Sequence, residues 1–217
     1  MIRALRLVAA CACALAFTAG CSDLFTSKAP VSRAYVLRPA APALTGGEAP
    51  AAGEAPAAKP PFTGTLRVPR PNPAPGFETD RILLLREGRE LDYYANGHWA
   101  GPIPDLVGAL AVESLRRAQL FDGVYSEGAP IRTDYFLQIA IRDFVADYGA
   151  GEGAPVARVV LDCTLARRLD RSVLAAFTAE GTAPAAANRM AEVVAAYEAA
   201  LQQALGSVST SLAAAAN

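Results

Sequence analysis

The sequence predicts an α+β fold: a single domain with a mixed, mostly antiparallel sheet and helices packed on one face. Three observations carry this. From residue 135 onward Tyr135, Leu137, Ile139 and Ile141 alternate with Phe136, Gln138, Ala140 and Arg142, the period-two signature of a strand with one strongly apolar face. Two stretches, near residues 104–121 and 185–212, place apolar residues three and four apart, as amphipathic helices require. Short alternating segments precede the first helical stretch and longer ones precede the second, so strands and helices share one sheet and one core.

The chain opens with a leader. Arg3 and Arg6 form a basic start, residues 7–17 are apolar and uncharged, and Thr18, Ala19 and Gly20 are the small residues a signal peptidase accepts before Cys21. Residues 1–20 are thus expected to be a lipoprotein signal peptide and Cys21 the acylated first residue of the mature chain. Each buried acyl CH₂ contributes about 0.8 kcal/mol, so several acyl chains together hold a soluble domain on a membrane. A transmembrane helix needs about 20 apolar residues, more than this run supplies. Thr18 stands where an aliphatic residue is usual. The competing box of Val8, Ala9 and Ala10 before Cys11 leaves too short an apolar region.

Residues 21–61 are expected to be a tether. Tyr35, Val36 and Leu37 form an apolar triplet that suits a short strand, whereas residues 38–61 are almost wholly Ala, Pro, Gly and Glu, a composition that buries no core and predicts disorder. The globular domain is expected over 62–212. Residues 65–68 alternate as a strand, prolines at 69, 71, 73 and 75 impose an extended bend, and residues 80–86 form a second strand. Residues 89–99, with Tyr93 and Tyr94, read as a third strand closed by a turn at Asn96 and Gly97. Pro102 and Pro104 then open a helix to about Phe121. Pro104 suits its first turn, Asp105 its positive end, and Ile103, Leu106, Val107, Leu110, Ala111, Leu115 and Ala118 form its apolar stripe. A short strand follows over 121–125.

The second half contains longer strands over 135–142, 156–167 and 172–180, joined by a glycine-rich hairpin at 149–153 and a turn around residues 169–171. Met190, Val193, Val194, Tyr197, Leu201, Leu205, Val208 and Leu212 give the last helix one apolar stripe. The alanine-rich residues 213–217 are expected to fray.

Composition narrows the chemistry. The formal net charge is −1 and no basic patch or basic helix stands out, which excludes nucleic acid as an expected ligand. Three of the four cysteines fall in or at the end of the leader. Cys163 alternates with Val159, Leu161 and Leu165 and reads as a buried apolar side chain without a disulfide partner. His98 is the single histidine, so neither a spaced His/Cys metal pair nor a Ser-His-Asp set is available, and no cofactor is expected. The glycines at 149, 151 and 153 lack the following Lys-Ser/Thr of a phosphate loop. Asp143 and Asp147 read as a solvated strand edge. No enzyme activity is expected.

Trp99 is the exception to this plain inventory. A lone Trp between a turn and a proline corner is either a core plug, with its N–H on a backbone carbonyl, or a binding anchor. Tyr93 and Tyr94 must point to opposite faces, so one of them is exposed. The candidate partner-binding surface is therefore this strand end and corner: Tyr93, Tyr94, Trp99, Pro102 and Pro104.

In its order of features the chain resembles the ABC-type transport auxiliary lipoprotein family, the PqiC-like proteins. The residues that carry the resemblance are Cys21, then Tyr35 with Leu37, then Arg67, Val68 and Pro69, then Tyr93, Trp99, Pro102, Pro104 and Leu106 in fixed spacing, and finally Ala195, Ala196, Tyr197, Ala200 and Leu201. The resemblance implies a periplasm-facing lipoprotein without catalytic activity. It would work beside an MCE-domain protein and an ABC permease and ATPase that move lipid between the inner and outer membranes, with phospholipid as a further ligand and a homo-oligomer left open. By the sorting rule of enteric bacteria, Ser22 after Cys21 is expected to send the lipoprotein to the outer membrane, with the inner membrane as the alternative. The alternative is a periplasmic lipid-binding chaperone that shields an acyl chain between the sheet and the long helix.

Overall fold

The alternation that begins at Tyr135 builds the spine of the sheet. A computed structural model of the protein describes residues 32–39, 59–151 and 153–216, so the expected signal peptide, Cys21 and most of the Ala/Pro-rich segment lie outside the described residues. In chain order the elements are β1 (Arg33–Tyr35), β2 (Phe62–Val68), β3 (Asn72–Pro73), β4 (Arg81–Arg86), β5 (Glu90–Trp99), α1 (Ile103–Ala118), β6 (Phe121–Ser126), β7 (Tyr135–Asp147), β8 (Val156–Arg167), β9 (Val173–Pro184) and α2 (Met190–Ala215).

One edge of β7 pairs antiparallel with β8 from Tyr135↔Arg167 to Asp147↔Val156, and β8 pairs antiparallel with β9. The other edge is shared in turn by β2, β3 and β4, all parallel to β7, at Leu66↔Tyr135, Asn72↔Ala140 and Leu84↔Ala146. Residues 62–86 therefore run along β7 once. The prolines at 69, 71, 73 and 75 lack the N–H that a ladder needs and divide the pairing into three short pieces. β2 also pairs parallel with β6, β4 antiparallel with β5, and β5 parallel with β1. The sheet is mixed, as expected, with the two longest ladders antiparallel.

Asn96 and Gly97 do not make a turn. The β4–β5 reversal occurs at Glu87 and Gly88, whose φ angles are 51° and 67°. Asn96 and Gly97 instead fall where the β4–β5 register shifts between Arg81↔His98 and Leu83↔Tyr93. Gly97 is there for close approach: a Cβ would meet Tyr35 at 3.2 Å and Ile82 and Met190 at 3.3 Å. Strand β9 runs four residues past the expected end at Glu180, the long helix starts at Met190 rather than near Ala185, and it continues to Ala215 through residues expected to fray.

Both helices lie on one face of the sheet and touch each other. α1 starts after Pro102, carries Asp105 in its first turn and ends at Gln119, whose φ is 51°. Its buried residues Ile103, Val107, Ala111 and Leu115 fall on the expected stripe, and α2 buries Val193, Val194, Tyr197, Leu201, Leu205, Val208 and Leu212. Arg70 stitches the proline bend to α1, with Nε 2.6 Å from Asp105 and Nη2 2.5 Å from Glu78. The opposite face carries charged pairs beside Val145 and Val160. There Arg142 meets Asp162 at 3.2 Å, and Arg158 meets Asp143 at 3.6 Å and Asp147 at 3.9 Å. Asp143 and Asp147 thus belong to the open face of a central strand, not to a sheet edge.

Cys163 sits buried in β8 with Val159, Leu161 and Leu165. Desolvation pushes its thiol from an ordinary 9.0 up to about 12, with a smaller contribution from Asp162. A folded acid with a raised pKa holds its proton where the unfolded chain has lost it. Its contribution is therefore complete below pH 9 and declines as pH rises from there toward 12. The native thiol is expected to resist a disulfide reagent at pH 8 and to react fully in denaturant. Rapid native labelling would mean that β8 is open to solvent.

Candidate functional site

The corner between β5 and α1 is fixed by three backbone bonds. Trp99 N–H donates to the Asp80 carbonyl at 2.6 Å, Ala100 N–H to Tyr35 at 2.7 Å, and Ile103 N–H to Thr79 at 2.9 Å. Pro102 and Pro104 set the helix start without needing donors of their own.

Trp99 is 1% exposed. Its ring meets Tyr197 edge-on at 5.2 Å and Phe144 at 6.0 Å, while Phe144 and Tyr197 stack at 5.0 Å. The Tyr197 hydroxyl donates to the Leu83 carbonyl, which ties α2 to β4. Its buried phenol has a pKa pushed well up, chiefly by desolvation. The indole N–H does not reach the backbone carbonyl expected for a core plug and has no partner among the described residues.

Tyr93 and Tyr94 do point to opposite faces. Tyr94 is half-buried, and its hydroxyl lies 2.9 Å from that of Tyr148, which in turn donates to Asn188 Oδ1 at 2.7 Å. Tyr148 spends its proton on Asn188, so Tyr94 is the donor in the first bond. Burial first, and that hydrogen bond second, raise the Tyr94 pKa. Tyr93 is 42% exposed, with the Arg81 guanidinium 4.0 Å over its ring.

Of the five candidate residues, Tyr93 and Pro102 face solvent, Tyr94 is half-buried, and Trp99 and Pro104 are buried. The last two shape the corner and present no side chain to a partner. Sequence reasoning missed Leu91, which is also 42% exposed. Its signal was available, because Leu91 and Tyr93 are two apart in a strand and share a face. The exposed surface consists of an aliphatic side chain and an aromatic ring on β5 and a guanidinium of the paired strand β4 stacked on that ring.

His98 is half-buried with Nδ1 2.9 Å from Ser32 Oγ. Among the described residues no group of three His, Cys, Asp or Glu side chains is placed to hold a metal. No helix among them is long and apolar enough to cross a membrane.

A family model described as the ABC-type transport auxiliary lipoprotein component matches residues 44–209. No curated protein matches the chain. Among solved structures, a Xanthomonas campestris protein is 30% identical with a TM-score of 0.64, over 70% of this chain and 85% of that one. A second, of an uncharacterised protein, shares the fold at 15% identity and a TM-score of 0.55, over 67% of this chain and 90% of that one. The matched span takes in Arg67, Tyr93, Trp99, Pro102, Pro104 and Tyr197, and with it the sheet spine and all of α1, so the chain belongs to the family of ABC-type transport auxiliary lipoprotein components.

Proposed function

We propose that this protein is a non-catalytic lipoprotein, anchored through an acylated Cys21 and facing the periplasm from the outer membrane. It serves as the auxiliary component of an MCE-type ABC transporter that moves lipid between the inner and outer membranes. Membership of the transport auxiliary family is the observation that carries this reading. Support for the contact surface comes from Leu91 and Tyr93, exposed on the strand that ends at the Trp99 corner, and from Arg81 of the neighbouring β4, which stacks on Tyr93.

The chaperone alternative receives less support. Between the sheet and α2 the two backbones come so close that a Cβ at Gly181 would lie 1.9 Å from the Ala200 carbonyl oxygen, and the small space between α1 and α2, lined by Leu110, Leu201 and Leu205 among others, is about 120 Å³. Pockets that enclose small ligands run from about 300 to 1,000 Å³.

Affinity capture of the anchored protein from gently solubilised envelopes, with Cys21→Ala as the control for anchoring, tests the proposal. Recovery of an MCE protein with its permease and ATPase is the expected result. Tyr93→Asp is expected to cut that recovery about tenfold, as loss of an interface anchor does. Its effect on stability should stay within about 0.5 kcal/mol, as for other surface changes. Capture of lipid without any transporter subunit would overturn the proposal.

A further inference from the structure

The end of the sheet where β7 begins and β8 passes into β9 carries a feature that the transport reading does not use. Leu169, at the tip of the β8–β9 turn, is 93% exposed, and Val173 beside it is 62% exposed. The turn is ordered. Asp170 accepts from Ser172 N–H at 3.1 Å and from its hydroxyl at 2.8 Å, Arg167 N–H donates to the Ser172 carbonyl at 2.9 Å, and Arg168 N–H donates to the Asp134 carbonyl at 2.7 Å. A leucine is thus held out into water by a built loop.

Beside the tip lies a shallow basin of about 520 Å³, lined by Thr63, Arg132, Thr133, Arg167, Arg168 and the Leu169 side chain among others. The loop carrying Arg132 is also fixed, because the Arg67 guanidinium donates to the carbonyls of Glu127, Ala129 and Ile131. One carboxylate, Asp134, also lines the basin and a second, Asp170, stands in the adjoining turn, and both are engaged. Asp134 accepts from Thr65 N–H at 2.8 Å and from its hydroxyl at 3.1 Å, while Asp170 is held by Ser172 and lies 3.6 Å from Arg167. Arg132, Arg168 and Arg171 have no carboxylate partner among the described residues. Thr133 is 5% exposed, and its hydroxyl lacks a hydrogen-bond partner there.

We propose that this end of the sheet docks on an anionic phospholipid bilayer, with a headgroup phosphate in the basin and Leu169 inserted beneath the headgroups. Charge complementarity selects the occupant. The whole chain is formally −1, so general basicity does not attract it to an anionic surface, whereas the arginines here form a local positive patch. Arginine forks match phosphate oxygens, and an aliphatic tip ringed by arginine suits the boundary where apolar and anionic layers meet. The inference does not draw on the transporter partnership. Failure of one leaves the other standing, because one is read with pure lipid and the other with captured protein.

The test is flotation of the chain from position 21 onward, carrying Cys21→Ser so that no acyl anchor contributes. The vesicles are equal parts phosphatidylglycerol and phosphatidylcholine, compared with phosphatidylcholine alone. Binding to the anionic vesicles, weakening with added salt, is expected. Leu169→Asp should weaken it at least about tenfold, the scale of an inserted leucine. Arg132→Gln with Arg168→Gln should weaken it about 30-fold. Leu169 and both arginines are at the surface, so unchanged thermal unfolding will show that the variants fold. Absence of binding to anionic vesicles, equal binding to neutral ones, or binding indifferent to Leu169→Asp would overturn the proposal. The last would leave an anion site or a site for an acidic protein face.

Discussion

Trp99→Ala is expected to lower stability by about 3–5 kcal/mol, the cost of emptying a large aromatic site. For a domain of this size that is a fall in melting temperature on the order of 10 °C. The reason is geometric. Trp99 stands between Phe144 of β7 and Tyr197 of α2, so one side chain joins the corner strand, the sheet spine and the long helix. Removing it strips edge contacts from both rings and weakens the position from which Tyr197 bonds to Leu83. Trp99→Phe separates packing from hydrogen bonding. The indole N–H has no partner among the described residues, so phenylalanine discards an unsatisfied donor along with some volume. It should retain most of the stability, within about 1.5 kcal/mol, as swaps that nearly conserve volume do. Calorimetry reads both variants. Equal losses would mean that the N–H makes a bond essential to the fold.

The same residue shows how much of the site was legible. Its type and its place beside two prolines marked a corner, and the alternation of Tyr93 and Tyr94 required one exposed ring. Whether Trp99 plugged the core or faced a partner depended on Phe144 and Tyr197, which lie far away in sequence and meet it only in the fold. The helical stripes and the long strands were readable because each follows one period over many residues. The errors arose where a local signal met a tertiary one. Asn96 and Gly97 resemble a hairpin turn, yet the glycine serves the approach of Tyr35, Ile82 and Met190. Glu87 and Gly88, a weaker pair on paper, make the actual reversal. The proposed membrane-facing tip was read only as a turn, because exposure of Leu169 and convergence of Arg132 with Arg168 are properties of the folded sheet end.

Gly181→Ala is the sharpest test of how α2 seats on the sheet. The expected end of β9 at Glu180 was wrong for a physical reason: Gly181, Ala183 and the residues around them are poor strand formers by propensity. Their small size is what the fold uses. Ala179, Gly181 and Ala183 are buried on the helix side of β9, opposite Ala196, Ala200 and Ala204, and the two backbones come together there. A Cβ at Gly181 would lie 1.9 Å from the Ala200 carbonyl oxygen and 2.8 Å from the Ala204 nitrogen. Both are backbone atoms of a continuous helix, so no rotamer change makes room and α2 must move as a body. Overpacking costs about 1–3 kcal/mol, occasionally more, and this contact belongs at the upper end, about 3 kcal/mol. The melting temperature should fall by about 6–12 °C. Gly206→Ala makes the internal control, because Gly206 is exposed in the same helix and a Cβ there meets nothing within 4 Å. It should stabilise by about 0.8–1 kcal/mol through helix propensity alone. Opposite signs for one chemical change at two glycines would establish the close seat of α2 on β9. A Gly181→Ala protein that melts with the parent would mean that the helix rides farther from the sheet, and the expected insertion of the Tyr197 ring beside Trp99 would fall with it.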